Sequence, residues 1–246
     1  MVMLEEMLGY LQGQPTKVMS ATQWSEKEGV LIVPSYNLSE MLEEVYEEHE
    51  SLSNFVQQQR QQMQHISMDD VWRKIAESNL FHLELELSKK SFEEIYQLSS
   101  SQTINESFLD EVQKESDVSS FIIDEQWIDE RNEYEEGKVI VMAVPTEKAF
   151  EATLWMPMGG FNECPLPLYQ AMVMKHWQEQ YDAKPIAVTQ DCWVLKAENK
   201  PTTFEAALAL AKEHVLFCQY VLEAFSTIGE YADYLMKESV WYFWWD

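Results

Sequence analysis

The segment GGFNECP at residues 159–165 gathers more chemistry-bearing residue types than any other short stretch of this chain. Adjacent glycines, Gly159 and Gly160, free backbone N–H groups to turn toward an anion. Cys164 beside them is a nucleophile once its thiol is ionised. Asn162 would orient a base, and His176 or His214 would be that base if the fold brings one close. This arrangement would make the protein a hydrolase or transferase. The structural alternative is a tight turn made by the glycines and Asn162, with Cys164 filling a gap in the core as free cysteines usually do. A catalytic thiol needs a lowered pKa, which is set by the fold and not by the sequence, so core filling is the expectation adopted.

Other chemistries find less support. His214 and Cys218 lie four apart on one helical face and would need Cys164 or Cys192 to complete a metal site, but no H-E-x-x-H or C-x-x-C pair occurs. No metal and no cofactor is expected, and His214 reads as a hydrogen-bonded structural histidine. Asp191 and Glu205 would serve as an acid–base pair, yet a turn aspartate and a capping glutamate explain both. The seven glycines are spaced for neither a dinucleotide fingerprint, a P-loop nor a nucleophile elbow.

Charge points elsewhere. Seventeen basic residues against 43 acidic ones give a net charge of −26, which argues against nucleic acid or an anionic membrane as partner and favours a basic protein. Glu43, Glu44, Glu47 and Glu48 concentrate that charge on a helix, where the alternatives are a merely solvated face and a surface that steers and holds a basic partner. The leading expectation is a non-enzymatic binding module, an immunity-type or inhibitor-type neutraliser of a basic partner; a purely structural scaffold is the third class. No run approaches the ~18 apolar residues of a membrane span. Glu5 and Glu6 stand where a signal peptide carries lysine or arginine. Three cysteines without a C-x-x-C pair read as reduced thiols. Together these features read as a cytoplasmic protein.

The elements that must position these residues follow from pattern. Residues 1–137 hold 29 acids and 9 bases, whereas 138–246 hold 14 and 8 together with six of the nine tryptophans. A boundary is therefore placed at Gly137, between an acidic N-terminal region and an aromatic-rich C-terminal one. Before it come a helix over residues 1–11, a buried strand GVLIVPS ended by Pro34, and a long helix capped by Asn37 and Glu40. The apolar stripe of that helix is Val45, Leu52, Val56, Met63 and Ile66. A helix at 69–77, a half-buried strand LFHLELEL, a helix at 92–98 and a serine-rich turn follow. After the boundary come a strand KVIVMAVP, a helix capped by Thr146, the 159–165 loop and a helix over 168–182. Strands PIAVT and CWVLKA lead to a helix with a Thr202/Glu205 capping box, a helix at 229–237 and a last strand VWYFWW. Val240, Tyr242 and Trp244 alternate there with Trp241, Phe243 and Trp245, so both faces are apolar. That pattern predicts a central strand covered on both sides. The fold class is α+β, with mixed α/β as the variant: a mixed sheet with flanking helices.

GGFNECP, AVTQD at 187–191, EAALALAKEHVLFC at 205–218 and the terminal WYFWWD together make the last 110 or so residues resemble a bacterial family, the domain of unknown function 4253. The resemblance implies a domain boundary rather than an activity. Three positions depart from the family pattern: Phe161 replaces a tryptophan, Gln190 a glycine at the strand turn, and Gln219-Tyr220 a Pro-Asp pair. The second implies a different turn geometry, and the third removes an acid from any site the family shares.

Overall fold

Residues 2–80, 87, 89–134 and 137–245 are described by the computed structural model of the protein. Among them six strands make one mixed sheet: β1 (Thr16–Ser20), β2 (Val30–Ile32), β3 (Lys138–Met142), β4 (Ala183–Val188), β5 (Cys192–Ala197) and β6 (Val240–Trp244). Their spatial order is β1-β3-β2-β4-β5-β6. Neighbours are antiparallel except β2 and β4, which run parallel with Leu31 opposite Ala187 and Ile32 opposite Val188. The fold is α+β, as expected. The LFHLELEL strand has its residues 81–86 outside the described residues.

Alternation along each strand divides the core in two. Ile32, Ile140, Met142, Trp193, Leu195, Trp241 and Phe243 share one large cluster with the helices. Leu31, Val33, Val139, Val141, Cys192 and Val194 face a smaller cluster closed by Ala21, Trp127 and Ile128. The helices are α1 (Val2–Tyr10), α2 (Tyr36–His49), α3 (Leu52–Met63), α4 (Met68–Asn79), α5 (Phe92–Thr103), α6 (Glu125–Asp129), α7 (Ala152–Trp155), α8 (Pro167–Tyr181), α9 (Phe204–Phe217) and α10 (Ile228–Lys237).

Several helix boundaries differ from the sequence reading, each for a local reason. The long helix is two. Glu50 turns into the left-handed region at φ 64°, and the Ser51 hydroxyl then accepts the Asn54 N–H to start α3. α2 is capped by Ser35, whose hydroxyl accepts the Leu38 N–H at 3.2 Å, rather than by Asn37. Thr203 caps α9 through Ala206 N–H at 3.2 Å, one residue beyond the expected Thr202. The serine run continues α5 as far as Thr103 instead of turning, with the Ser101 and Thr103 hydroxyls bonded back to the Leu98 and Ser99 carbonyls within the helix. Thr146 makes no cap; residues 146–151 form a 3₁₀ turn leading into α7.

The terminal strand is a correction of place. β6 lies at the sheet edge, not at its centre. Trp241, Phe243 and Trp245 are buried among the helices, while Val240, Tyr242 and Trp244 are only half-buried. An edge this apolar is tolerated because side chains close it. The Cys218 thiol donates to the Trp244 carbonyl at 3.0 Å, and the Tyr234 hydroxyl to that of Val240 at 2.9 Å. On the outer face Phe121 stacks on Tyr242 with ring centres 4.4 Å apart.

The compositional boundary at Gly137 falls immediately before β3. β1 and β2 come from before it and β3 to β6 from after it, and β2 sits between β3 and β4.

Candidate functional site

The 159–165 loop is held from within. Gly160 N–H donates to the Cys164 carbonyl at 3.0 Å and Cys164 N–H to the Phe161 carbonyl at 2.7 Å, so the Gly160 donor is spent inside the turn rather than offered to an anion. Asn162 and Glu163 supply the left-handed corner at φ 40° and 61°. Gly159 has φ 137°, and a Cβ there would stand 2.3 Å from the Pro165 carbonyl oxygen and 2.4 Å from Gln170 Nε2. Close approach, not ligand contact, therefore explains this glycine. Gln170 of α8 is the clasp. Fully buried, it donates from Nε2 to the Met158 carbonyl at 2.7 Å and the Pro165 carbonyl at 2.6 Å.

Cys164 lies under this clasp, 2% exposed. Its thiol contacts Met158 Sδ at 3.6 Å and Gln170 Nε2 at 3.5 Å, and burial pushes its pKa well up. The two histidines considered as its base lie elsewhere. His176 Nε2 faces Glu213 at 3.3 Å, and that hydrogen bond raises its pKa. His214 is fully buried among Trp177, Trp241 and Phe243, with Nδ1 2.7 Å from the Tyr231 hydroxyl; burial lowers its pKa far below the ordinary value. Neither histidine hydrogen-bonds Cys164. Cys192 is buried with its pKa pushed up to about 12, Cys218 bonds the Trp244 carbonyl, and no cluster of metal ligands occurs among the described residues.

What the structure does bring together is a cleft at the carboxyl ends of β2 and β4. Because these strands are parallel, the turn into α2 and the Thr189-Gln190-Asp191 turn into β5 emerge side by side. In open sheets this is where ligands tend to sit. The cleft, about 250 Å³, is lined by Asn37 and Met41 of α2, Phe161 and Asn162 of the loop, Gln190, Asp191, Trp244 and Trp245. Asp191 organises it. Its carboxylate accepts the Thr189 hydroxyl at 2.6 Å and Trp244 Nε1–H at 3.3 Å, and its carbonyl accepts the Trp245 N–H at 3.0 Å. Gln190 Oε1 and Trp245 Nε1 are buried atoms with no hydrogen-bond partner among the described residues. Gln190 is not at positive φ, so this turn does not need the family's glycine.

Three of the segments that carry the sequence resemblance thus meet around one cleft. Residues 140–246 match the family model Domain of unknown function (DUF4253). No curated protein and no solved structure matches the chain. The DUF4253 region supplies six of the eight lining residues, and the other two come from α2, well outside it. Two of the three departures from the family pattern, Phe161 and Gln190, line the cleft. The third, Tyr220, packs on the other side of Trp244 with ring centres 5.5 Å apart.

α2 links this cleft to the acidic surface. Asn37, Met41, Glu44 and Glu48 recur at helical spacing and so share one stripe, with Glu43 and Glu47 flanking it. All four glutamates are exposed. Among the described residues none pairs with a lysine or arginine; Glu48 lies 3.8 Å from His49 and Glu43 takes a hydrogen bond from Tyr10. No described helix is long and apolar enough to cross a membrane. Sequence reasoning read Asn37 only as a helix cap and missed Met41 as a cleft residue and Gln170 as the clasp, because each meets segments more than a few residues away.

Proposed function

We propose that the protein is a non-enzymatic binding module for a basic protein, acting as an immunity-type or inhibitor-type neutraliser, and that it engages its partner along α2 with the cleft at one end of the contact. The observation that carries this reading is the exposed row Glu43, Glu44, Glu47 and Glu48, none paired with a lysine or arginine among the described residues, which runs on from the cleft residues Asn37 and Met41. A net charge of −26 draws a cationic surface in and sets the approach rate. Exposed ion pairs add little affinity each, so the grip falls to the cleft, where Trp244, Phe161 and Met41 give apolar area beside unpaired amide and indole groups. The encounter is placed in a bacterial cytoplasm, where three free buried cysteines remain reduced.

The test is recovery of binding proteins from the native cell at low salt, comparing the wild type with a variant in which Glu43, Glu44, Glu47 and Glu48 are changed to lysine. A specific basic protein should come down with the wild type, be released as salt shortens the screening length below ~8 Å, and be absent from the variant. Equal recovery of that protein by the folded variant would sink the proposal.

A further inference from the structure

Trp244 also lines a second cavity, of about 290 Å³, on its far side from the cleft. Phe225, Tyr231 and Tyr234 are its buried floor. Tyr220, Tyr242 and Trp244 are half-buried walls. The floor phenols are committed elsewhere, Tyr231 to His214 Nδ1 at 2.7 Å and Tyr234 to the Val240 carbonyl at 2.9 Å, and the floor rings pack on one another with centres 4.8–6.1 Å apart while lining the space. Among the described residues the single charged one in the lining is Glu223, which is exposed, and no lysine or arginine contributes. Aromatic rings carry a negative face that attracts cations, most strongly where water is excluded. A hard metal ion would find one carboxylate where it needs several oxygens, and an anion would meet a carboxylate in a protein of net charge −26. The volume suits a compact ligand rather than a peptide segment.

We propose that this aromatic cavity binds a small quaternary ammonium ion, held by the rings of Tyr220, Tyr242 and Trp244 over the Phe225–Tyr231–Tyr234 floor, with Glu223 as its counter-charge. The site shares Trp244 with the cleft and no other lining residue, and its test uses no protein partner. The probe is choline chloride, titrated against the full-length protein at constant ionic strength and followed by calorimetry and tryptophan fluorescence. Its neutral isostere 3,3-dimethylbutan-1-ol has the same shape without the charge. Saturable choline binding is expected, with the isostere about tenfold weaker, the scale of a desolvated cation–π contact. Tyr242→Leu and Glu223→Gln should each weaken choline binding. Should Tyr242→Leu fail to fold, the choline-to-isostere ratio on the wild type decides alone. Absence of saturable choline binding, or equal affinity for the isostere, overturns the proposal.

Discussion

His214 illustrates how burial sets the chemistry of a single side chain. An imidazole enclosed by Trp177, Trp241 and Phe243 is held neutral, because charging it there would forfeit hydration with only a phenol in return. Its folded-state pKa is depressed below the ordinary 6.5, so the stability it allows is complete above that value and lost as pH falls below it. The loss is up to ~1.4 kcal/mol per pH unit until the folded-state pKa is reached. His176 works in the opposite sense. Its pKa is raised by the hydrogen bond to Glu213, so its contribution is complete below the ordinary value and fades as pH rises through the raised one. His214→Phe should be less stable than the wild type at pH 7.5, having left the Tyr231 hydroxyl unpaired at a cost of ~1–3 kcal/mol. The gap should narrow toward pH 5.5. Thermal melts of the two proteins across that range check this; parallel curves would mean His214 does not titrate between the folded and unfolded states.

At the scale of elements, the 159–165 loop depends on α8. Gln170 supplies two hydrogen bonds to carbonyls that no strand or helix satisfies, and it covers the Cys164 thiol. Gln170→Ala should therefore cost roughly 2–4 kcal/mol, since two buried acceptors lose their donor. It should also make Cys164 reactive to iodoacetamide. In the wild type all three cysteines should resist alkylation at neutral pH, because their thiolates are suppressed by burial. A urea midpoint combined with mass spectrometry of the labelled protein reads both effects. An unchanged midpoint with Cys164 still protected would show that the clasp does not hold the loop.

For the whole molecule the decisive feature is the position of β2. It lies between β3 and β4, yet it comes from residues 30–32, while the DUF4253 match begins at residue 140, inside β3. A fragment of residues 138–246 would have a gap where β2 belongs, with Ile140, Met142 and Val188, all fully buried in the whole chain, facing it. Losing a buried strand and its ladder exceeds a typical stability of ~5–15 kcal/mol. The fragment should show no cooperative unfolding transition, and co-expression with residues 1–137 should restore one. Calorimetry of the purified fragment gives the answer, and a cooperative melt at the full-length temperature would mean that the C-terminal region folds without β2.

Local physics was enough for much of this protein. The apolar runs at Lys138–Met142 and Cys192–Ala197 and the alternating faces of Val240–Trp244 marked three strands, the glycines and αL-tolerant Asn162 marked the loop, and the glutamates of α2 marked an exposed face, because period and propensity act over a few residues. The same patterns left the helix caps one or two residues out, since Ser35 and Asn37, or Thr203 and Thr202, are nearly equivalent until the backbone chooses. Only the tertiary structure placed β6 at an edge, sealed by Cys218 and Tyr234, where its two apolar faces had suggested the centre. Only it inserted β2 beside β4, and so brought Asn37 and Met41 against Asp191 and Trp244 to form the cleft. Strand order and burial depend on which distant surfaces exclude water together, and that is a property of the assembled sheet rather than of any segment within it.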